Sequence, residues 1–202
     1  MPSQRTPQIS RRLPAVVTGP IRTYATVVGE VVWASNFALG AFEILFCNIA
    51  NYTNFMMGRA IWHCSTSDSG QLQMLRAATE ASDRLTPRMR ANILWAVEKS
   101  LKLGELRNHA VHSATIAIPE MDGHRIAPSA MGTKPTRFDK LAQIKDLKGK
   151  FRAVRTDLLQ VGQFVHGLWP HVAGFDLLPP IPRRPRLTSL PTSTQGKKRR
   201  SR

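Results

Sequence analysis

The stretch "ELRNHAVH", residues 105–112, sets an acid, an arginine, an amide and two histidines within eight positions. A histidine near its ordinary pKa takes or gives a proton at neutral pH. An arginine is permanently charged and holds a phosphate through paired hydrogen bonds. An asparagine orients either one. These groups suffice for strand cleavage by the 2′-hydroxyl of RNA. Histidine would assist proton transfer, arginine would stabilise the pentavalent phosphate, and no metal or cofactor is expected. The chain has neither a Gly-rich phosphate loop nor a serine–histidine–acid spacing suited to nucleophilic catalysis.

Helical spacing decides which of these groups share a face. Glu105, Asn108 and His112 fall at i, i+3 and i+7, on one polar line, and His109 borders it four residues past Glu105. Arg107 lies five residues before His112, on a different face of a regular helix. The two could meet if the helix loosens near Ala110, if the arginine reaches around, or across a two-fold axis with a second copy. A purely structural reading also stands: cationic residues near a helix C-terminus interact favourably with its dipole.

The run "RNHAVH" resembles the R-x4–6-H motif of the HEPN domain family. The resemblance implies an all-helical bundle that commonly dimerises, and in many members a metal-independent endoribonuclease of toxin–antitoxin or defence systems. On it, Arg107 and His112 occupy the catalytic positions, and Asn108 the preferred polar position after the arginine. It covers roughly residues 21–172. The implied partners are RNA, a second copy of the chain and a cognate antitoxin or inhibitor protein. The rival reading is a non-catalytic helical dimerisation or interaction module with a basic nucleic-acid-binding tail.

The elements that must position these residues are legible in the periodicity. Ile21 to Asn51 lacks proline and repeats Val28, Val31, Val32, Ser35, Leu39, Phe42, Leu45, Phe46 and Ile49 at steps of three and four, a helix buried on more than one side. Glu30, Asn36, Glu43 and Asn48 inside it argue against a membrane span. Asn54 caps a second helix, which "STSDSG" (65–70) interrupts or bends. Thr86–Pro87 starts a third, with Ile93, Leu94, Val97, Leu101 and Leu106 inward. "ATIAIP" followed by Asp122-Gly123 reads as a small β-hairpin or ordered loop. A fourth helix begins at Thr136 or Asp139 and stops before Pro170. The expected fold is all-α, an antiparallel bundle of four to five helices with the hairpin between the third and last long helices.

Residues 1–20 are expected to form a disordered basic arm, 21–174 the bundle, and 175–202 a disordered, proline-rich basic tail. Of the +16 net charge, residues 1–22 contribute four arginines and residues 183–202 eight cations, neither with an acid, which leaves the body with about +4. The tails either attract a polyanion or keep the chain soluble. Lys197, Lys198, Arg199 and Arg200, with Glu105 and His109, are the candidate RNA contacts. Cys47 and Cys64 imply no disulfide; both are expected to be buried, in a cytoplasmic, reducing setting away from any membrane. His109 and His112 could join His63, Cys47, Cys64 or His124 around zinc, but no second ligand pair has the spacing. His63 and Cys64 are expected to pack beside Trp62. Trp33, Trp62, Trp95 and Trp169 are dispersed and expected as core anchors. Glu30 and Glu43 share no face, though either could approach the arginine.

Overall fold

The computed structural model describes residues 15–50, 54–120, 123–175 and 178–190. Its described elements are six helices and one hairpin: α1 (Ala15–Ile49), α2 (Phe55–Cys64), α3 (Asp68–Ala81), α4 (Pro87–Val111), β1 (Thr115–Glu120), β2 (Gly123–Pro128), α5 (Pro135–Ala142) and α6 (Leu147–Ala173). The fold is all-α with a small antiparallel hairpin.

Local chemistry explains most of the boundaries. Asn54 accepts from the Met56 N–H at the start of α2, Ser67 from Gly70 at the start of α3, and Thr86 from Met89 at the start of α4. Each cap satisfies an otherwise orphaned donor, a contribution of about 1 kcal/mol. Pro87 follows its cap at a position where a missing N–H costs nothing. The polar run 65–70 thus interrupts the helix rather than bending it: Ser65 to Ser67 separate α2 from α3, and Asp68 to Gly70 form the first turn of the latter. In the hairpin, Thr115 pairs with Pro128 and Glu120 with Gly123; Asp122 of the expected turn lies outside the described residues.

Three expectations about the helices need correcting. The first helix begins at Ala15, so residues 15–20 are not a free arm; Pro20 sits near its start, where one lost hydrogen bond is tolerated. The fourth expected helix is two. A turn at 143–146 separates α5 from α6, and Asp146 accepts from the Gly149 N–H to start the latter. α6 also continues past Pro170 to Ala173, since a proline in the last turn disturbs little of the ladder. It ends at Gly174 in the left-handed conformation (φ 77°) that favours glycine.

The core is built on α1 lying along α6. Val31, Ala34, Phe42 and Leu45 of α1 and Phe151, Val154, Val161 and Val165 of α6 are all buried, each large side chain contributing about 1.5–3 kcal/mol. Small residues bring the two helices together. A Cβ built on Gly162 would stand 2.8 Å from the Phe37 ring and 3.1 Å from the Ala38 Cα. α4 closes the other side with Ile93, Ala96, Val97 and Leu103, and Trp62 of α2 packs on Phe46 at 5.3 Å between ring centroids.

Not every tryptophan is a core anchor. Trp33 is 63% exposed and stacks on the exposed Phe37, four residues on, because positions 33 and 37 fall outside the buried line of α1. Cys47 is buried, but Cys64 is exposed in the last turn of α2. His63 is exposed as well, so neither packs into the core with Trp62. α1 is long and apolar enough to cross a membrane over Gly19–Ile49, and half of its most apolar window is buried against its neighbours.

The largest departure concerns the tail. Residues 178–190 do not stand free; they run as an irregular strap against α4 and α6. Arg184 donates to the Asn92 side chain at 2.8 Å and the Ala91 carbonyl at 2.9 Å, with its guanidinium 5.6 Å from the centre of the Trp95 ring. Asp157, 1% exposed on α6, accepts from the Ser189 N–H at 2.7 Å, the Ser189 hydroxyl at 2.6 Å and the Thr188 N–H at 3.0 Å. Lys150 donates to the Ser189 carbonyl. Ile181, Leu187 and Leu190 pack on the core. Proline-rich composition forbids helix, but an extended chain keeps its N–H groups free, and a buried carboxylate can take them.

Candidate functional site

α4 carries the sequence candidates, and two environments divide them. Its inward-lateral face presents Ser100, Leu101, Gly104, Glu105, Arg107 and Asn108, spaced at one and two helical turns, to a cleft of about 640 Å³. Leu39 and Phe42 of α1 and Leu158 of α6 also line it, and the α2–α3 end adds Thr66 to Ser69 with Leu72. Ser67 caps α3 at that end, and Gly70 lets the Ser65 hydroxyl approach where any Cβ would collide at 2.2 Å.

Within the cleft the Arg107 guanidinium donates through Nη2 to Asp68, the first residue of α3. Its Nε is buried and has no hydrogen-bond partner among the described residues. Burial pushes the guanidinium pKa below its usual value, though an arginine remains charged. The Ser100 hydroxyl, on a side chain in a residue only 7% exposed, is also buried without a partner among the described residues.

His112 belongs to the second environment. It is the exposed C-cap residue of α4; its N–H donates to the Asn108 carbonyl at 3.0 Å, and its own carbonyl accepts from Arg137 of α5 at 2.9 Å. The hairpin positions α5 here. Thr133, buried ahead of α5, accepts from the Ala114 N–H at 3.1 Å, and Ser129 donates to the Ala114 carbonyl at 2.8 Å. His109 is half-buried one turn earlier. Its pKa is lowered, first by burial and then by the positive charges of Arg137 and Lys140, with Glu105 opposing.

Within one chain, then, Glu105, Arg107 and Asn108 line the cleft, whereas His112 is not among its lining residues. The cation that meets His112 is Arg137, twenty-five residues further along. Lys197, Lys198, Arg199 and Arg200 lie outside the described residues. Glu30 is engaged by Arg155 at 2.8 Å, and Glu43 by Arg59 at 2.6 Å and His63 at 3.4 Å, so neither approaches Arg107. No cluster of three or more His, Cys, Asp or Glu side chains suited to a metal occurs among the described residues. Asp68 and Arg137 escape a sequence reading because their relation to the motif is tertiary. The one local hint was Ser100, a whole two turns before Arg107 on the same face.

No protein-family model, no curated protein and no solved structure matches this chain.

Proposed function

We propose that the protein binds RNA at the C-terminal end of α4 and cleaves it without a metal, as a homodimer. The observation that carries the reading is the grouping of His109, His112, Arg137 and Lys140 where α4 meets α5. Arg137 bonds the His112 backbone carbonyl and, with Lys140, acts on the His109 ring; at this helix end the exposed His112 imidazole would take the 2′-hydroxyl proton, Arg137 and Lys140 would hold the phosphate, and water would protonate the departing 5′-oxygen. The resemblance assigns the phosphate to Arg107, with Asn108 positioning it; the geometry of a single chain favours Arg137. Arg107 would serve if a second copy brought its cleft to the first copy's His112 and the Asp68 contact gave way.

Incubating single-stranded RNA with the protein in excess chelator tests this. The wild type is expected to cut, and His112→Ala to lose about 10²–10⁴-fold in rate while retaining RNA. Arg107→Lys and Arg137→Ala then separate the two assignments, the correct one slowing cleavage with the fold intact. A His112→Ala protein that cuts like the wild type rejects the mechanism.

A second reading, a helical module that associates without catalysis, is favoured by the exposed apolar side chains of Trp33, Phe37, Phe55 and Met56 on α1 and α2. An absence of cleavage on every RNA tried, with a stable dimer in sedimentation, would make it the better one.

A further inference from the structure

Charge is not spread evenly over the body of the protein. Residues 123–150 hold seven cations and two acids, a net +5, which leaves the rest of the body near neutral. That segment is β2, α5 and the start of α6. The fold gathers it at one end of the bundle. Tyr24, early in α1, meets Phe151, early in α6, with ring centroids 6.1 Å apart, and Glu30 meets Arg155 four residues on, so both helices start at this end. α4 runs the opposite way: Trp95 meets Phe164, whereas Gly104 to Asn108 share the cleft with Leu158, earlier in α6. Its last turn, with His109 and His112, therefore arrives where α1 and α6 begin.

A pocket of about 510 Å³ opens at that end. His124 and Arg125 of β2, Lys145 of the turn before α6 and Lys148 of its first turn line it, with Thr23 of α1. Arg125 and Lys145 are exposed, and neither His124 nor Lys148 is buried, so a ligand in the pocket can reach all four. The one acid of the lining, Asp146, caps α6 by accepting from the Gly149 N–H at 2.8 Å. Among the described residues no ion pair engages Lys145 or Lys148. Cations held together in this way focus a positive field that draws a polyanion.

Two features favour a strand over a small anion. α5 joins the pocket to the His112 corner: from Arg137 to Lys145 the chain runs five residues of helix or helix end and three beyond, at most about 18 Å. That is the length of about five stacked nucleotides. Both ends of the described chain also lie here, since α1 starts at Ala15 and Lys150 donates to the Ser189 carbonyl, one residue before Leu190. The stretches continuing from them, 1–14 and 191–202, carry eight cations and no acid. Cations spread along a path suit repeated phosphates, whereas a single anion would meet only the pocket.

We infer that this pocket holds the backbone of a single-stranded RNA about five nucleotides from the cut, with Lys145 and Lys148 on its phosphates and the strand lying along α5. The inference rests on the RNA reading above and adds a substrate class, strands long enough to span both sites. A duplex is disfavoured because the 2′-hydroxyl must be free to line up with the departing oxygen.

Fluorescence anisotropy on the full-length His112→Ala chain tests this, with a labelled single-stranded RNA of about 12 nucleotides, more than twice the span. Adding Lys145→Ala/Lys148→Ala is expected to weaken binding about tenfold at about 0.15 M salt. It should also flatten the slope of log K against log salt by about 1.4, at roughly 0.7 per phosphate contact. The control Arg84→Ala/Arg88→Ala removes two exposed cations at the opposite end of α4 and should change affinity by less than about twofold, because salt screens distant charges. Equal losses in the two double variants, or no loss in either, overturn the inference. So does a Lys145→Ala/Lys148→Ala protein that loses binding to phosphatidylserine vesicles while its RNA affinity is unchanged, which would give the patch to a membrane surface. Should that pair not fold, Lys145→Ala alone decides, with a flattening of about 0.7 expected and none overturning. Cleavage by the wild type with no Lys145 or Lys148 effect removes the pocket and spares the catalytic reading. RNA binding that depends on both lysines, without cleavage by the wild type, upholds the pocket and removes the catalytic reading.

Discussion

Replacing Ser189 by alanine isolates what the strap contributes to stability. The Ser189 hydroxyl donates to the Asp157 carboxylate at 2.6 Å, and both residues are almost fully buried, at 2% and 1% exposure. A hydrogen bond to an ionised group in such a place is worth about 1.5–3 kcal/mol, and alanine leaves the carboxylate with one donor fewer and no water in exchange. For a protein of this size each kcal/mol moves Tm by roughly 2–4 °C, so the variant should melt about 3–12 °C lower. Thr188→Ala is the internal control. That hydroxyl lies 3.4 Å from Asp157 on an exposed residue, at the limit of a hydrogen bond, and its loss should cost less than about 0.5 kcal/mol. The backbone N–H of Thr188 remains in both variants. Reversible urea unfolding followed by circular dichroism measures both. Equal, near-zero effects would mean that the strap does not dock in solution, and the account of Asp157 would fall with it.

Two glycines on long helices should respond in opposite directions. Gly162→Ala forces a methyl against Phe37 and the α1 backbone, and overpacking of that kind costs about 1–3 kcal/mol; Gly104→Ala meets open space and should gain about 0.5–1 kcal/mol from the helix interior. Denaturant midpoints of the pair decide this, and like signs would contradict the α1–α6 approach. Stability should also depend on His109. Its folded pKa lies below its ordinary value of 6.5, so the unfolded chain binds the proton more readily. The contribution is therefore complete above pH 6.5 and lost as the pH falls through the lowered folded value. Melting temperature followed downward from pH 7 should fall more steeply in the wild type than in His109→Gln; parallel curves would show that burial and the Arg137 and Lys140 charges do not act on this ring.

The sequence by itself determined whatever depends on neighbours along the chain. The Asn54 cap, the Thr86–Pro87 start and the hairpin after α4 could all be read from it, because caps, proline and turns act within about four residues. The apolar period of α1 likewise marked it as a helix enclosed on several sides. The same period could not say which flank stays open, so Trp33 was misplaced: only the arrangement of α6 and α4 around α1 decides that. In the site, Glu105 and Asn108 share a line by helical geometry alone. That Arg107 is held by Asp68, thirty-nine residues back, and that Arg137 meets His112, required the chain to fold. The strap makes the contrast sharpest. Its prolines excluded helix, and that much was local. Docking depends on Asp157, buried about thirty residues upstream and in need of donors, and on Asn92 and Trp95, which receive Arg184 from about ninety residues away. A carboxylate taken out of water must find hydrogen bonds somewhere, but the identity of its donors is a fact of three-dimensional proximity, and no spacing along the chain carries it.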